Sequence, residues 1–280
     1  MRVLLPKNVI EACSMLASEQ PTPMAGGTDL MVHWPVNLKA HDRLYMDVSR
    51  LWSMKAISWS DNLVLGGITT YWDVLGDERI GQEFPLLWAA ARQVGAIQIQ
   101  SRGTWTGNIV NGSPAADGVP VLMAYDAVVV LTSTRGERRV ALSEFYSGYK
   151  KMDRRPDELI TSIELPRRAY DVNVFEKVGP RRAQAITKVG FAAVHSSAGW
   201  RVVANSVAPT VCRCRAVEQM LESKAPVSSA ADVLPALDRD ITPIDDIRST
   251  AEYRLKVMAR LLYHDLFAGE DTGGQPGAPS

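Results

Sequence analysis

Cysteine is scarce: three in 280 residues cannot pair completely, which excludes the disulfide-rich scaffolds of small secreted proteins. A reducing cytoplasm is the expected setting. Three thiols also fall short of the roughly four that an iron–sulfur centre takes, and Cys212-Arg213-Cys214 reads as two small side chains at a helix start. Charge of one sign is not in excess. Thirty-one Lys and Arg balance 31 Asp and Glu, so nothing draws the chain as a whole to a phosphate backbone, and general nucleic-acid binding is not expected. No run approaches the roughly 18 apolar residues of a membrane span, because Val119 to Leu131 is broken by Pro120 and Asp126. Val3-Leu4-Leu5 is closed off at once by Pro6, Lys7, Asn8 and Glu11, too early for a signal-peptide core. His33, His41, His195 and His264 are scattered without metal-ligand spacing. The Rossmann glycine fingerprint, the P-loop and the G-x-S-x-G elbow are missing as well.

What remains is an ordinary globular composition, 46% apolar and 22% charged, long enough for one large domain or two small ones. Asn8 with Glu11 predicts a capped helix whose Val9, Cys13, Leu16 and Ala17 face the core, which makes Cys13 a packing residue. A short strand is expected at Met24-Ala25, another from Arg43 to Val48, and a hairpin from Ile57 to Gly67 turning at Ser60-Asp61-Asn62. Tyr71 to Leu75 and Phe84 to Val94 predict helices, with Pro85 in a first turn. Residues 97–112 are too polar for a core strand and lack helical period. Val119 to Tyr125 predicts a short helix and Ala127 to Leu131 a buried strand. Ile160 to Leu165, Val172 to Val178, Ile186 to His195 and Arg201 to Val207 read as neighbours in one antiparallel sheet. The last third predicts helices at Arg215 to Leu221 and Arg248 to Phe267, then a disordered tail, 269–280. The class is α+β.

Two polar, glycine-bearing segments carry the chemistry. Met24-Ala25-Gly26-Gly27-Thr28-Asp29-Leu30 follows a predicted strand. Paired glycines let a ligand approach the backbone, and clustered N–H groups at a helix start suit a diphosphate; a tight strand-to-helix turn has the same residues. Arg102 to Asp117 is long and punctuated by Gly103, Gly107 and Gly112, and such a loop inside a compact domain is usually functional. Asp117 suits a ribose or ribityl hydroxyl, or the cap of the helix that follows.

These segments, A-G-G-T-D-L and R-G-T-x-x-G-N-I-x-x-x-S-P-x-x-D, resemble the FAD-binding medium subunit of molybdenum hydroxylases. Leu65-Gly66-Gly67-Ile68-Thr69-Thr70 matches that family's glycine stretch. Pro156-Asp157-Glu158-Leu159-Ile160 through Ile163-Glu164-Leu165-Pro166 matches a strand. Phe175-Glu176-Lys177, Arg181-Arg182 and Ile186-Thr187-Lys188-Val189 match a later run, and the C-terminal helical third agrees in length. The resemblance spans about Met1 to Phe267.

The resemblance implies a two-part FAD-binding fold of the vanillyl-alcohol-oxidase/PCMH type, in subdomains 1–55 and 56–168. A C-terminal α+β domain, 169–268, of the carbon monoxide dehydrogenase flavoprotein type follows. It implies an oxidoreductase subunit that takes electrons from two [2Fe–2S] clusters on a small partner subunit and passes them to an external acceptor. It further implies a molybdopterin cofactor on a large partner subunit, N-heterocycles of purine or pyridine type as substrates, and a dimer of heterotrimers. Carried over by position, Met24, Ala25, Gly26, Gly27, Thr28, Asp29 and Leu30, with Thr104, Trp105, Thr106, Gly107 and Asn108, wrap the FAD diphosphate. Asp117 binds the sugar-like chain, Ile160 packs on the isoalloxazine and Lys177 lies close by. No catalytic and no metal-binding residue is implied here.

One departure stands out. The family has T-[IV]-G-G-[ND], whereas this chain has Trp105-Thr106 where an aliphatic–glycine pair is usual. Thr106 is strained if that position requires positive φ, and Trp105 either stacks near the ring system or fills volume. Lys150, Lys151, Arg154 and Arg155, interleaved with Asp153, Asp157 and Glu158, read as a solvated loop or as a docking surface.

Overall fold

A computed structural model of the chain describes residues 2–32 and 43–268. His33, His41 and the tail expected at 269–280 lie outside the described residues.

The chain opens with β1 (Arg2–Leu4), α1 (Val9–Glu19), β2 (Thr22–Met24), α2 (Thr28–Val32) and β3 (Leu44–Asp47). The three strands form a parallel sheet in the order β1-β3-β2. Asn8 Oδ1 accepts the Glu11 N–H at 2.9 Å, as the sequence predicts. The Glu11 carboxylate reaches back to the Lys7 N–H at 2.6 Å, one residue short of a full capping box. Ala12, Cys13 and Leu16 form the buried face of α1, and burial pushes the Cys13 thiol up.

A second block runs through β4 (Ile57–Trp59), β5 (Asn62–Gly66), α3 (Tyr71–Leu75), α4 (Glu78–Glu83), α5 (Pro85–Gln93), α6 (Ile97–Gln100), α7 (Trp105–Asn111) and α8 (Gly118–Ala124). It continues in β6 (Val128–Ser133), β7 (Gly136–Ala141), β8 (Tyr146–Gly148), β9 (Lys151–Met152) and β10 (Leu159–Pro166). Its antiparallel sheet has the order β4-β5-β10-β6-β7. The hairpin at 57–67 is present. Residues 97–112, expected to be irregular, hold α6 and α7 instead. Thr104 Oγ1 accepts the Gly107 N–H at 3.0 Å and starts α7; Gly112, left-handed at φ 60°, stops it. Two turns of helix are too short to show a periodic pattern.

The third block is β11 (Tyr170–Val178), β12 (Val189–Ser196), β13 (Gly199–Asn205), β14 (Cys212–Arg213), α9 (Arg215–Glu222), α10 (Ala230–Asp240) and α11 (Ala251–Leu262), which runs on into a π-helical turn at Tyr263–Phe267. β11 to β14 form an antiparallel sheet in sequence order. The expectation that β10 belongs to this sheet is corrected. It pairs with β5 and β6, where Ile163 stands opposite both Leu65 and Val129. Only three residues separate β10 from β11, so the change of sheet leaves no linker signature. Ile186 to Lys188, expected as strand, precede β12. α4 and α10 carried no expectation; Pro235 inside α10 argues locally against a helix there.

The packing explains the apolar runs. All seven residues of α8 are buried, because it sits between α5 and α7 on one side and the β12–β13 face on the other. β12 is buried on both faces. Ala192 and Val194 join the core of the second block, while Val189, Phe191 and Ala193 join the core beneath α9 to α11. The class is α+β, with antiparallel sheets and helices around one small parallel sheet. No helix among the described residues is long and apolar enough to cross a membrane.

Candidate functional site: a backbone cleft closed by a buried ion pair

The two glycine segments meet. A Cβ on Gly26 would lie 1.7 Å from the Arg102 carbonyl oxygen and 3.1 Å from the Gly103 nitrogen, so only glycine lets these backbones touch. Gly27 adopts φ +72°, turning the chain from β2 into α2. The Arg102 guanidinium also donates to the Gly26 carbonyl at 3.4 Å.

The β5–α3 turn is stitched between them. Tyr71 N–H donates to Gly103 O and Trp105 N–H to Thr69 O, each at 3.2 Å. Thr106 Oγ1 donates to Gly67 O at 2.5 Å, and Gly67 N–H to Thr161 O at 2.8 Å. That last bond continues the β5–β10 register one step past Gly66 and Ser162, while on its other edge β10 shifts register against β6 between Ile160 and Ser162. Ile160 therefore lies beside this turn. Such bulges commonly re-aim the chain next to a site.

The predicted diphosphate segments thus lie against each other, but their amides are not all available. Within 104–108, the Trp105 N–H is held by Thr69 O, Gly107 by the Thr104 hydroxyl and Asn108 by Thr104 O. Thr104 and Thr106 are left as the donors this stretch can offer. Thr106 takes an ordinary helical conformation, not positive φ, so it carries no strain, and its hydroxyl replaces the flexibility of a glycine with a hydrogen bond. Trp105 is fully buried with its ring 4.9 Å from that of Tyr71, which supports the volume-filling reading.

Asp117 stands at the end of this segment, immediately before α8. It makes no helix-capping bond. Its Oδ2 instead accepts from Lys177 Nζ at 2.7 Å and its Oδ1 from Thr187 Oγ1 at 2.5 Å. The Lys177 ammonium also donates to the Gln93 carbonyl at the end of α5, at 2.8 Å. Side-chain exposures of 5% for Lys177 and 12% for Asp117 make this a buried pair. Burial pushes the Asp117 carboxyl up, against the opposing pull of Lys177 and of hydrogen bonds from Thr187 and Asn205. The Tyr71 phenol is pushed up by burial and further by the carboxylates of Asp117 and Asp29. Thr187, Asn205 and Tyr71 were not among the predicted site residues. Each is an ordinary residue of a strand, link or helix, and no local pattern marks it.

The cleft can receive a polar ligand. Thr69 Oγ1 and Asn108 Oδ1 are buried without a protein partner, and such atoms cost free energy unless something bonds them. By contrast, the acids of the stretch at 150–158 and Arg154 are engaged within the fold, while Lys150, Lys151 and Arg155 stay exposed. Arg138 binds Asp153 and the buried Glu158, Arg135 binds Asp157, and the Arg154 guanidinium donates to the Glu158 carbonyl. Two depressions elsewhere, about 670 Å³ beside Trp72 and Arg79 and about 460 Å³ between α9 and α10, are wide open.

An α+β fold whose two glycine turns pack together near a buried acid is suited to a dinucleotide. Residues 1–168 match the FAD-binding domain of molybdopterin dehydrogenases and residues 175–266 the C-terminal domain of the carbon monoxide dehydrogenase flavoprotein, and the chain belongs to that family of oxidoreductase subunits. The nicotinate dehydrogenase FAD-subunit of Eubacterium barkeri is 32% identical over 66% of this chain and 65% of that protein. The caffeine dehydrogenase subunit beta of a Pseudomonas species is 30% identical, covering 90% of this chain and 88% of its own length. The fold is shared with a chain of the carbon monoxide dehydrogenase from Oligotropha carboxidovorans, with a TM-score of 0.84 at 22% identity over 95% and 97% of the two chains.

Proposed function

We propose that this chain holds FAD in the cleft described above and serves as the electron-relay subunit of a heterotrimeric molybdenum hydroxylase. It receives electrons from [2Fe–2S] clusters on a small subunit and passes them to an external acceptor in the cytoplasm. The complex, a dimer of heterotrimers with a molybdopterin-bearing large subunit, acts on an N-heterocycle. The names of the nicotinate and caffeine dehydrogenase relatives favour that substrate class. The observation that carries the cofactor reading is the contact of Gly26 with Arg102 and Gly103, which brings two distant glycine segments to one cleft.

In this reading Met24 to Leu30 and the free amides at Thr104 and Thr106 hold the diphosphate. Asp117 accepts from hydroxyls of the sugar-like chain, and the bulged strand at Ile160 backs the isoalloxazine. Lys177, engaged by Asp117 and Gln93, acts through Asp117. Thr69 and Asn108 are buried polar groups that a bound dinucleotide can satisfy. Residues 1–55 and 56–168 are the two FAD-binding subdomains and 169–268 the C-terminal domain. Bound flavin supplies the redox chemistry; the protein supplies position and electrostatics.

The test is the flavin content of the purified chain and of two variants. Gly107→Trp fills the cleft beside the Thr104 cap and abolishes retention. Asp117→Ala weakens binding by about 1–3 kcal/mol if a buried hydrogen bond is lost. A colourless chain that refuses FAD favours an assembly protein that kept the fold. Reduction by a small substrate without other subunits favours a stand-alone flavin enzyme.

A further inference from the structure

Resting on the reading that the cleft holds FAD, we propose that Thr187 is a positioning residue for the cofactor: its hydroxyl fixes the orientation of the Asp117 carboxylate. Thr187 belongs to the link between β11 and β12, whose neighbour Ile186 is 60% exposed, yet Thr187 itself is fully buried. A hydroxyl carries one proton, and this one is given to Asp117 Oδ1.

The mount behind it is rigid. The Thr187 carbonyl accepts from Ser206 Oγ at 2.9 Å, and the Lys188 N–H donates to Val178 O at 2.8 Å. Arg254 reaches in from α11, 3% exposed, and one of its nitrogens donates to the carbonyls of Lys188 at 3.2 Å and Ser206 at 2.5 Å. Its other terminal nitrogen is anchored on Asp246 at 2.6 Å.

The backbone around Asp117 is clamped by the same strand end. Ser206 N–H donates to Pro114 O at 2.7 Å and Asn205 Nδ2 to Ala116 O at 2.8 Å. Lys177 supplies charge at Oδ2 but does not reach Oδ1, and the terminal torsion of a carboxylate is broad. Thr187 removes that freedom and leaves the remaining lone pairs of Asp117 aimed at the ligand. A carboxylate offers about four such sites, so hydroxyls of a sugar-like chain can still be accepted.

The experiment uses the full 280-residue chain freed of flavin, titrated with FAD and followed by flavin fluorescence, beside the thermal midpoint of each apoprotein. Thr187→Val and Thr187→Ala are expected to weaken FAD binding about tenfold, and Thr187→Ser to restore it to within about twofold, with apo midpoints that do not follow that order. A merely structural hydroxyl lowers the apo midpoints in the order of the affinities. Wild-type affinity in the Val or Ala chain overturns the proposal, as does equal loss in all three. Failure of the Val and Ala chains to fold overturns it too, because the hydroxyl is then part of the core. If the wild-type chain itself takes up no FAD, the cofactor reading falls, a result distinct from normal FAD binding that ignores residue 187.

Discussion

Gly26→Ala is the sharpest test of the cleft. The new methyl would sit 1.7 Å from the Arg102 carbonyl oxygen, and ordinary contact begins near 3.4 Å, so the two loops must part by about 1.7 Å. Overpacking relieved by such a shift costs about 1–3 kcal/mol of stability. The effect on the cofactor is larger. A hydrogen bond from an amide N–H, about 2.9 Å long, is lost when stretched by that amount. Losing two bonds to a charged diphosphate, at about 1.5–3 kcal/mol each, weakens FAD binding by about a hundredfold or more. Gly27→Ala is the control. Its methyl finds only the Met24 side chain, at 3.7 Å, so the penalty is the left-handed φ of +72°, about 1–2 kcal/mol. Both variants are assayed for flavin per chain, for FAD affinity after deflavination and for melting temperature. Full flavin content in Gly26→Ala, or a greater loss in Gly27→Ala, refutes the argument.

Lys177→Met leaves Asp117 buried without its ammonium and is expected to cost about 3–5 kcal/mol near neutral pH in denaturant melts. The pH dependence has a definite sign. Because burial holds the folded pKa of Asp117 above its unfolded value, the stability this group contributes is present at acid pH and lost as pH rises through the folded pKa. Losing Lys177 raises that pKa further, so the variant's deficit grows as pH rises above the ordinary carboxylate range; a flat difference contradicts the pairing. Thr106→Val strands the Gly67 carbonyl and lowers stability by about 1–3 kcal/mol, with Thr106→Ser close to wild type by thermal melt. Trp105→Ala is expected to cost about 3–5 kcal/mol, whereas Trp105→Phe costs little, because the indole N–H has no partner to lose; equal losses would mean that nitrogen has a hidden role.

Much of the site was legible because backbone chemistry writes itself into composition. Only glycine permits the contact at Gly26, a short polar residue such as Thr104 is needed to cap α7, and both stand out between apolar elements. The hairpin at 57–67 and the first capped helix were legible for the same local reasons. α7 was missed because two turns carry no period. β10 was placed in the wrong sheet because its alternation states that a strand exists but not which partner it meets.

By itself, the sequence determined that the chain is an α+β protein with two backbone segments suited to a dinucleotide. Those properties reside in residue types and short spacings. Only the tertiary structure decided that the segments touch and that Thr106 escapes strain. It alone decided that Trp105 fills the core, and that Asp117 is held by Lys177 and Thr187 rather than capping its own helix. Each of these depends on groups that lie tens of residues apart and meet only when three sheets pack, and no local pattern records such a meeting.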